Sequence, residues 1–133
     1  MTMNQHDSRR IALQAIFLSN QDKDLTVQEV ESKILTVFNL KQLSAYSQSL
    51  ISGVIENRAQ LEADITKHLK SGWRLERVNA IVVAIIEIAL YEIKYSENIE
   101  PKVAVNEALN LCDEFADPKT KPFVNGILAN FMN

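Results

Sequence analysis

The side chains with the most distinctive chemistry form two short basic groups, one near each end of the chain. Arg9 and Arg10 stand near the start, and Gln14 and Phe17 follow at steps of four and three residues that place them on one side of a helix with Arg10. Guanidinium groups bind phosphate, while an exposed amide and an aromatic ring can contact bases. Two solvated arginines would give the same pattern, so the spacing alone leaves both interpretations open.

The second basic group lies in a turn between two prolines. It contains Lys119, Thr120 and Lys121, and Phe123 follows at the predicted start of the last helix. The free amides and the positive dipole end of a helix N-terminus favour an anion such as phosphate. Phe123 also fits core packing, because Ile127 follows at i+4. A ring that is partly buried at a helix start can serve both roles and show one edge to a stacked base.

No other group of residues resembles a catalytic or metal-binding site. The sequence has no glycine-rich phosphate loop and no nucleophile beside a base. Cys112 falls on the apolar stripe of its helix, and no histidine is placed to activate it. His68 has no ligand partner at metal spacing, and His6 falls in a start expected to be frayed. We therefore expect no catalytic residue, no metal and no cofactor, and we interpret the function as binding.

The composition indicates a globular helical protein. The chain of 133 residues has 47% hydrophobic and 23% charged residues, enough to fill a core, and only three Gly and three Pro, too few for a sheet sandwich with many turns. The net charge of −3 argues against coating nucleic acid through bulk charge, although it permits a local basic patch. A single cysteine excludes an internal disulfide, and the first residues lack a signal pattern, so a cytoplasmic location is expected.

The stretch from Leu75 to Tyr95 predicts the helix around which the others pack. It has neither glycine nor proline, and its polar positions Asn79, Glu87 and Glu92 scatter around the helix instead of forming one face. A helix that is apolar nearly all round is buried, either enclosed by other helices or covered by a partner. Because the two glutamates interrupt the run before the roughly 20 apolar residues that a membrane span needs, we predict a buried core helix and no membrane segment.

Local signals place the other helices, and together they predict an all-α domain over residues 1–133 with about seven helices. Gly72 marks the boundary between an N-terminal bundle over residues 8–70 and a C-terminal bundle over residues 73–131. The expected signals are a cap at Asp7 or Ser8, the Thr26–Glu29 capping box, a cap at Ser44, a break near Asn57 and Pro101 in a first turn.

The sequence also predicts how three residues pack. Gly53 and Gly126 stand inside helical patterns, where a glycine costs about 1 kcal/mol, so each is expected to allow close contact with a neighbouring helix. Trp73 precedes the central helix and is expected to cover the core between the two halves.

Four segments of the chain together match the pattern of a known family, namely residues 9–16, 88–92, 101–108 and 123–128. In their order and spacing within residues 8–131 they resemble the NusB family of bacterial transcription antitermination factors. The resemblance implies two small antiparallel helical bundles around the central helix. It also implies binding to the single-stranded boxA element of ribosomal RNA leader transcripts, together with the ribosomal protein NusE, which helps the RNA polymerase elongation complex read through terminators.

The resemblance assigns RNA contacts to the same two basic groups. The arginine motif of the family corresponds to the first group, and its RNA-contacting turn corresponds to the second. The RNA-binding residues expected on this basis are Arg9, Arg10, Gln14, Phe17, Lys119, Thr120, Lys121 and Phe123.

The sequence departs from the family pattern in its arginine motif, at Pro122 and in the central helix. Only two arginines remain at the start, after Asp7, and Pro122 stands where a lysine is usual. Val82-Val83 replaces a common Asp-Arg pair, and Glu87 replaces an arginine. The apolar Ala80–Ile86 run supports an alternative, a protein-only scaffold or homodimer that has lost RNA binding. A substrate-binding domain like those heading RNA cytosine methyltransferases is a third interpretation.

Overall fold

The computed structural model describes residues 4–132, and these residues form seven α-helices and two short 3₁₀ turns. No strand occurs within them, which confirms the all-α prediction, and none of these helices is long and apolar enough to cross a bilayer. The helices are α1 Gln5–Gln21, α2 Val27–Val37, α3 Ala45–Glu56, α4 Arg58–Thr66, α5 Ala80–Tyr95, α6 Pro101–Phe115 and α7 Lys121–Ala129, and the 3₁₀ turns are Leu75–Arg77 and Pro118–Thr120.

The helix boundaries follow short-range signals, most of which were predicted. The Thr26–Glu29 capping box, the Ser44 cap, the break at Asn57 and Pro101 in a first turn are all present. The predicted start of α1 is wrong, because Asn4 caps the helix by accepting a hydrogen bond of 2.8 Å from the Asp7 amide. The helix therefore begins earlier, and His6 lies inside it rather than in a frayed end.

Helix α5 is buried as predicted, and α1, α3, α4, α6 and α7 all pack against it. Each residue from Val82 to Leu90 is buried, including Glu87. The helix is shorter than the predicted stretch, because Asn79 caps it by accepting from the Ile81 amide. The apolar run lies mostly inside the core, so it gives little exposed surface for the homodimer alternative.

One hydrophobic cluster joins the two halves of the chain. Its buried members come from α1 to α4 on one side of Gly72 and from α5 to α7 on the other. Gly72 has a φ of +87°, the left-handed conformation that favours glycine. The division into bundles over residues 8–70 and 73–131 stays a prediction, since the two ranges share this core.

The three packing predictions have different outcomes. Gly53 is confirmed as a close-contact position, because a Cβ there would overlap the Tyr91 ring. The prediction for Gly126 is wrong, since a Cβ there would meet no atom within 4 Å. The prediction for Trp73 is also wrong, because this residue is 56% exposed and stacks on Phe123 instead of covering the core.

Glu87 is a buried carboxyl that no cation neutralises directly. Asn20 Nδ2 donates a hydrogen bond of 2.7 Å to its Oε1, while the other carboxyl oxygen has no partner among the described residues. Burial raises the pKa of Glu87 to about 7, although the hydrogen bond from Asn20 opposes this shift. The folded protein therefore holds the proton of Glu87 through a pH range in which the unfolded chain has lost it.

We expect Glu87→Gln to stabilise the protein most at neutral and higher pH. Between pH 4.5 and about 7 Glu87 is protonated more fully in the folded state than in the unfolded state, so its contribution to the free energy of unfolding falls by about 3 kcal/mol as pH rises through this window. A glutamine can still accept the hydrogen bond from Asn20, but it does not ionise. The pH-dependent loss of stability at this position is therefore removed. Urea unfolding of both proteins across this range measures the difference.

The matched control is Glu97→Gln, which neutralises an exposed carboxylate in the loop after α5. Its free energy of unfolding should vary with pH in parallel with that of the wild type. If the Glu87→Gln profile also runs parallel, Glu87 does not hold a raised pKa in the folded state.

Candidate nucleic-acid interface

Arg9 anchors α1 in the core and is not exposed to a ligand. Its side chain is 2% exposed, and its Nε and Nη2 donate hydrogen bonds of 2.9–3.2 Å to the carboxylate of Glu92 on α5. The Tyr46 hydroxyl donates to the same carboxylate, and burial together with that carboxylate raises the pKa of Tyr46. The predicted RNA contact at Arg9 is therefore corrected, because its guanidinium is buried and bound to Glu92, with Nη1 3.8 Å from Glu107 Oε2.

Arg10, the next residue, points outward at the edge of α6. Its Nε lies 2.9 Å from Glu114 Oε2 and its Nη1 lies 3.6 Å from Asp7 Oδ1, while its guanidinium carbon lies 5.8 Å from the centre of the Phe115 ring. About half of the side chain remains exposed. Arg10 is thus held in place by weak surface contacts and is accessible to a phosphate group.

A shallow groove extends from Arg10 along α1. The residues that line it are Asp7, Arg10, Ile11, Gln14, Phe38 and Phe115, so two aromatic rings and one carboxylate lie beside Arg10. Phe17 is half-buried and packs against the core, so only part of its ring is accessible. The sequence did not indicate Phe38, because nothing in the spacing of α2 shows that its C-terminal end meets α1.

The second basic group forms the turn between α6 and α7. Asp117 shapes this turn by accepting from the Lys119 amide at 2.9 Å and, through its carbonyl, from the Thr120 hydroxyl at 2.6 Å. Lys119 is exposed and makes no ion pair with any described residue. Lys121 Nζ lies 3.0–3.1 Å from both carboxylate oxygens of Asp113. Because the Thr120 hydroxyl donates to the Asp117 carbonyl within this turn, it does not cap α7.

The last turn of α6 connects the two groups. Glu114 pairs with Arg10 on one side, and its neighbour Asp113 pairs with Lys121 on the other. Because residues 113 and 114 are adjacent, Arg10 and Lys121 lie on either side of the same helix end, although they are more than 100 positions apart in the sequence. We call Arg10, Gln14, Lys119 and Lys121 the basic surface. Arg10 and Lys119 are exposed and Lys121 is half-buried, and Arg10 and Lys121 are already paired with carboxylates.

His6 belongs to the same neighbourhood. Its ring nitrogens lie 3.0 Å from Glu107 Oε2 and 2.6 Å from Glu114 Oε1, and hydrogen bonds to these two carboxylates raise its pKa. Glu114 therefore contacts both His6 and Arg10. Within residues 4–132, no three His, Cys, Asp or Glu side chains are placed to hold a metal ion. Cys112 is fully buried, as its apolar stripe predicted.

Comparisons with known proteins agree with one family. The model of the NusB family matches residues 6–133. The chain is 36% identical over 132 residues to the transcription antitermination protein NusB of Ligilactobacillus salivarius, covering 99% of this chain and 100% of that protein. It is 37% identical over 131 residues to the NusB of Limosilactobacillus reuteri, covering 98% and 94%.

A solved structure shows the same fold. NusB of T. maritima superposes with a TM-score of 0.84 over 99% of this chain and 92% of that one, at 21% sequence identity. The family consists of transcription antitermination factors, not enzymes, which agrees with the expectation of a binding protein. Matches of this length to the family model and to both relatives show that the chain belongs to the NusB family.

Proposed function

We propose that this chain binds single-stranded boxA-type RNA of ribosomal RNA leader transcripts through the basic surface, together with ribosomal protein NusE. In this role it acts in the cytoplasm and reaches the RNA polymerase elongation complex through that RNA and NusE. The observation that carries the proposal is the meeting of Arg10 and Lys121 at the last turn of α6. Family membership supports it, because the curated relatives are named transcription antitermination proteins.

The ion pairs on this surface are weak enough for phosphate to displace them. Exposed pairs such as Arg10–Glu114 and Lys121–Asp113 contribute roughly 0–1 kcal/mol each, because water and salt screen them. A phosphate group offers the same cations a charge-assisted hydrogen bond, and a bidentate one to Arg10. RNA can therefore replace the two carboxylates at little cost.

The same acidic residues limit the affinity for RNA. The three cations of the surface are matched by three acidic residues, Asp113, Glu114 and Asp117, so this region has no net positive charge. With about three phosphate contacts, the logarithm of the binding constant should fall with the logarithm of salt concentration at a slope near −2 for a single strand. A second protein on the same RNA, NusE in this proposal, would raise the affinity by linkage.

We expect Arg10→Ala and Lys121→Ala each to weaken RNA binding severalfold without unfolding the protein. Each variant removes one solvent-accessible cation, so the salt slope should become shallower by about 0.7 for each lost phosphate contact. Fluorescence anisotropy of a labelled boxA-type RNA with NusE present, measured over a range of salt, gives both quantities.

Lys102→Ala is the control, since Lys102 is exposed at the opposite end of α6 from Asp113 and Glu114. It should leave the affinity and the slope near those of the wild type. Unchanged affinity in both Arg10→Ala and Lys121→Ala would refute the basic surface as the RNA site.

We expect Asp113→Asn to strengthen RNA binding, because it removes the carboxylate that competes with phosphate for Lys121. Losing any acidic residue from a chain of charge −3 also reduces general repulsion of RNA. Asp24→Asn supplies the matched control, as it makes the same charge change in the loop between α1 and α2. Equal affinities for the two variants, measured by the same anisotropy titration, would show that Asp113 does not compete.

A further inference from the structure

Trp73 and Phe123 form an aromatic pair next to the basic surface. Their ring centres lie 6.4 Å apart with an angle of 27° between the planes, and Trp73 is 56% exposed. A large aromatic ring that stays mostly in water does not stabilise a core, so burial does not explain its position. The pair lies at the start of α7, because Phe123 follows the turn that holds Lys119 and Lys121.

A small cavity opens beside this pair. Its volume is about 240 Å³, below the roughly 300–1,000 Å³ typical of sites for small molecules, and suits a single flat ring better than a larger ligand. A Cβ at Gly126 would meet nothing within 4 Å, so there is free space beside this lining residue. The residues that line it are His68, Lys70, Trp73, Pro122, Phe123, Gly126 and Ile127.

The charges around Trp73 favour an anionic chain. The cavity is lined by Lys70 and by no carboxylate, and Trp73 also lines a second depression together with Gly72, Arg74 and Arg77. Lys70, Arg74 and Arg77 make no ion pair with any described residue, unlike the paired Arg10 and Lys121. Glu76, the one acidic residue nearby in sequence, lines a different depression.

We propose that Trp73 and Phe123 form a stacking platform for one unstacked base of single-stranded RNA, whose phosphates lie along Lys70, Arg74 and Arg77. Stacking on aromatic rings combined with a basic track is how proteins hold single strands. The inference rests on the proposed function, and it extends the RNA path beyond the basic surface through the shared Phe123.

The single tryptophan of the chain allows a direct test. Titration of the protein with boxA-type RNA in the presence of a NusE variant lacking tryptophan should quench Trp73 fluorescence. In anisotropy titrations, Trp73→Leu should bind about 5- to 100-fold more weakly, whereas Trp73→Phe, which keeps an aromatic ring, should bind nearly as well as the wild type. Because Trp73 is exposed, neither change should unfold the protein, which circular dichroism checks.

A scan of abasic RNAs identifies the base. Removing the base that stacks on Trp73 should weaken binding to the wild type and have little further effect on Trp73→Leu, while other abasic positions weaken both proteins equally. Wild-type affinity in Trp73→Leu would overturn the platform and leave the proposed function intact. If Trp73→Leu lost NusE binding but kept its RNA binding, the stacking platform would also be overturned, and Trp73 would be assigned to a contact with a protein partner. No RNA binding by the wild type with NusE would refute the proposed function itself.

Discussion

The buried ion pair between Arg9 and Glu92 is the constraint on which the rest of the structure depends. It joins α1 to α5 inside the core, with the Tyr46 hydroxyl satisfying the same carboxylate from α3. Removing one partner of a buried pair typically costs about 3–5 kcal/mol, because the other charge is left without water or a counterion. The orientation of α1 is therefore fixed, and helix geometry then turns Arg10 outward beside the end of α6.

Local signals in the sequence predicted most of the fold, whereas long-range partners decided the site. The Thr26 and Ser44 caps could be predicted because both partners of each bond lie within three residues. Arg9 was predicted to contact RNA because nothing in its neighbourhood reveals Glu92, which lies 83 positions away. The exposure of Trp73 was missed for the same reason.

The basic surface combines cations with carboxylates that compete with phosphate for them. Glu114 and Asp113 keep Arg10 and Lys121 in position, and they reduce the positive charge that a bound RNA strand would meet in the proposed complex. This arrangement favours a ligand that offers well-placed phosphates and disfavours general binding to polyanions. It also explains why a chain of net charge −3 would depend on a second protein on the same RNA for high affinity.

The most direct test of RNA binding by this surface is ultraviolet crosslinking of the boxA-type RNA to the wild-type protein with NusE, followed by mass spectrometry of the crosslinked peptides. We expect crosslinks in two separate segments, residues 10–17 and residues 115–123, which the fold brings together at the last turn of α6. Crosslinks confined to other segments, or crosslinks to NusE alone, would contradict the assignment of the RNA site to this surface.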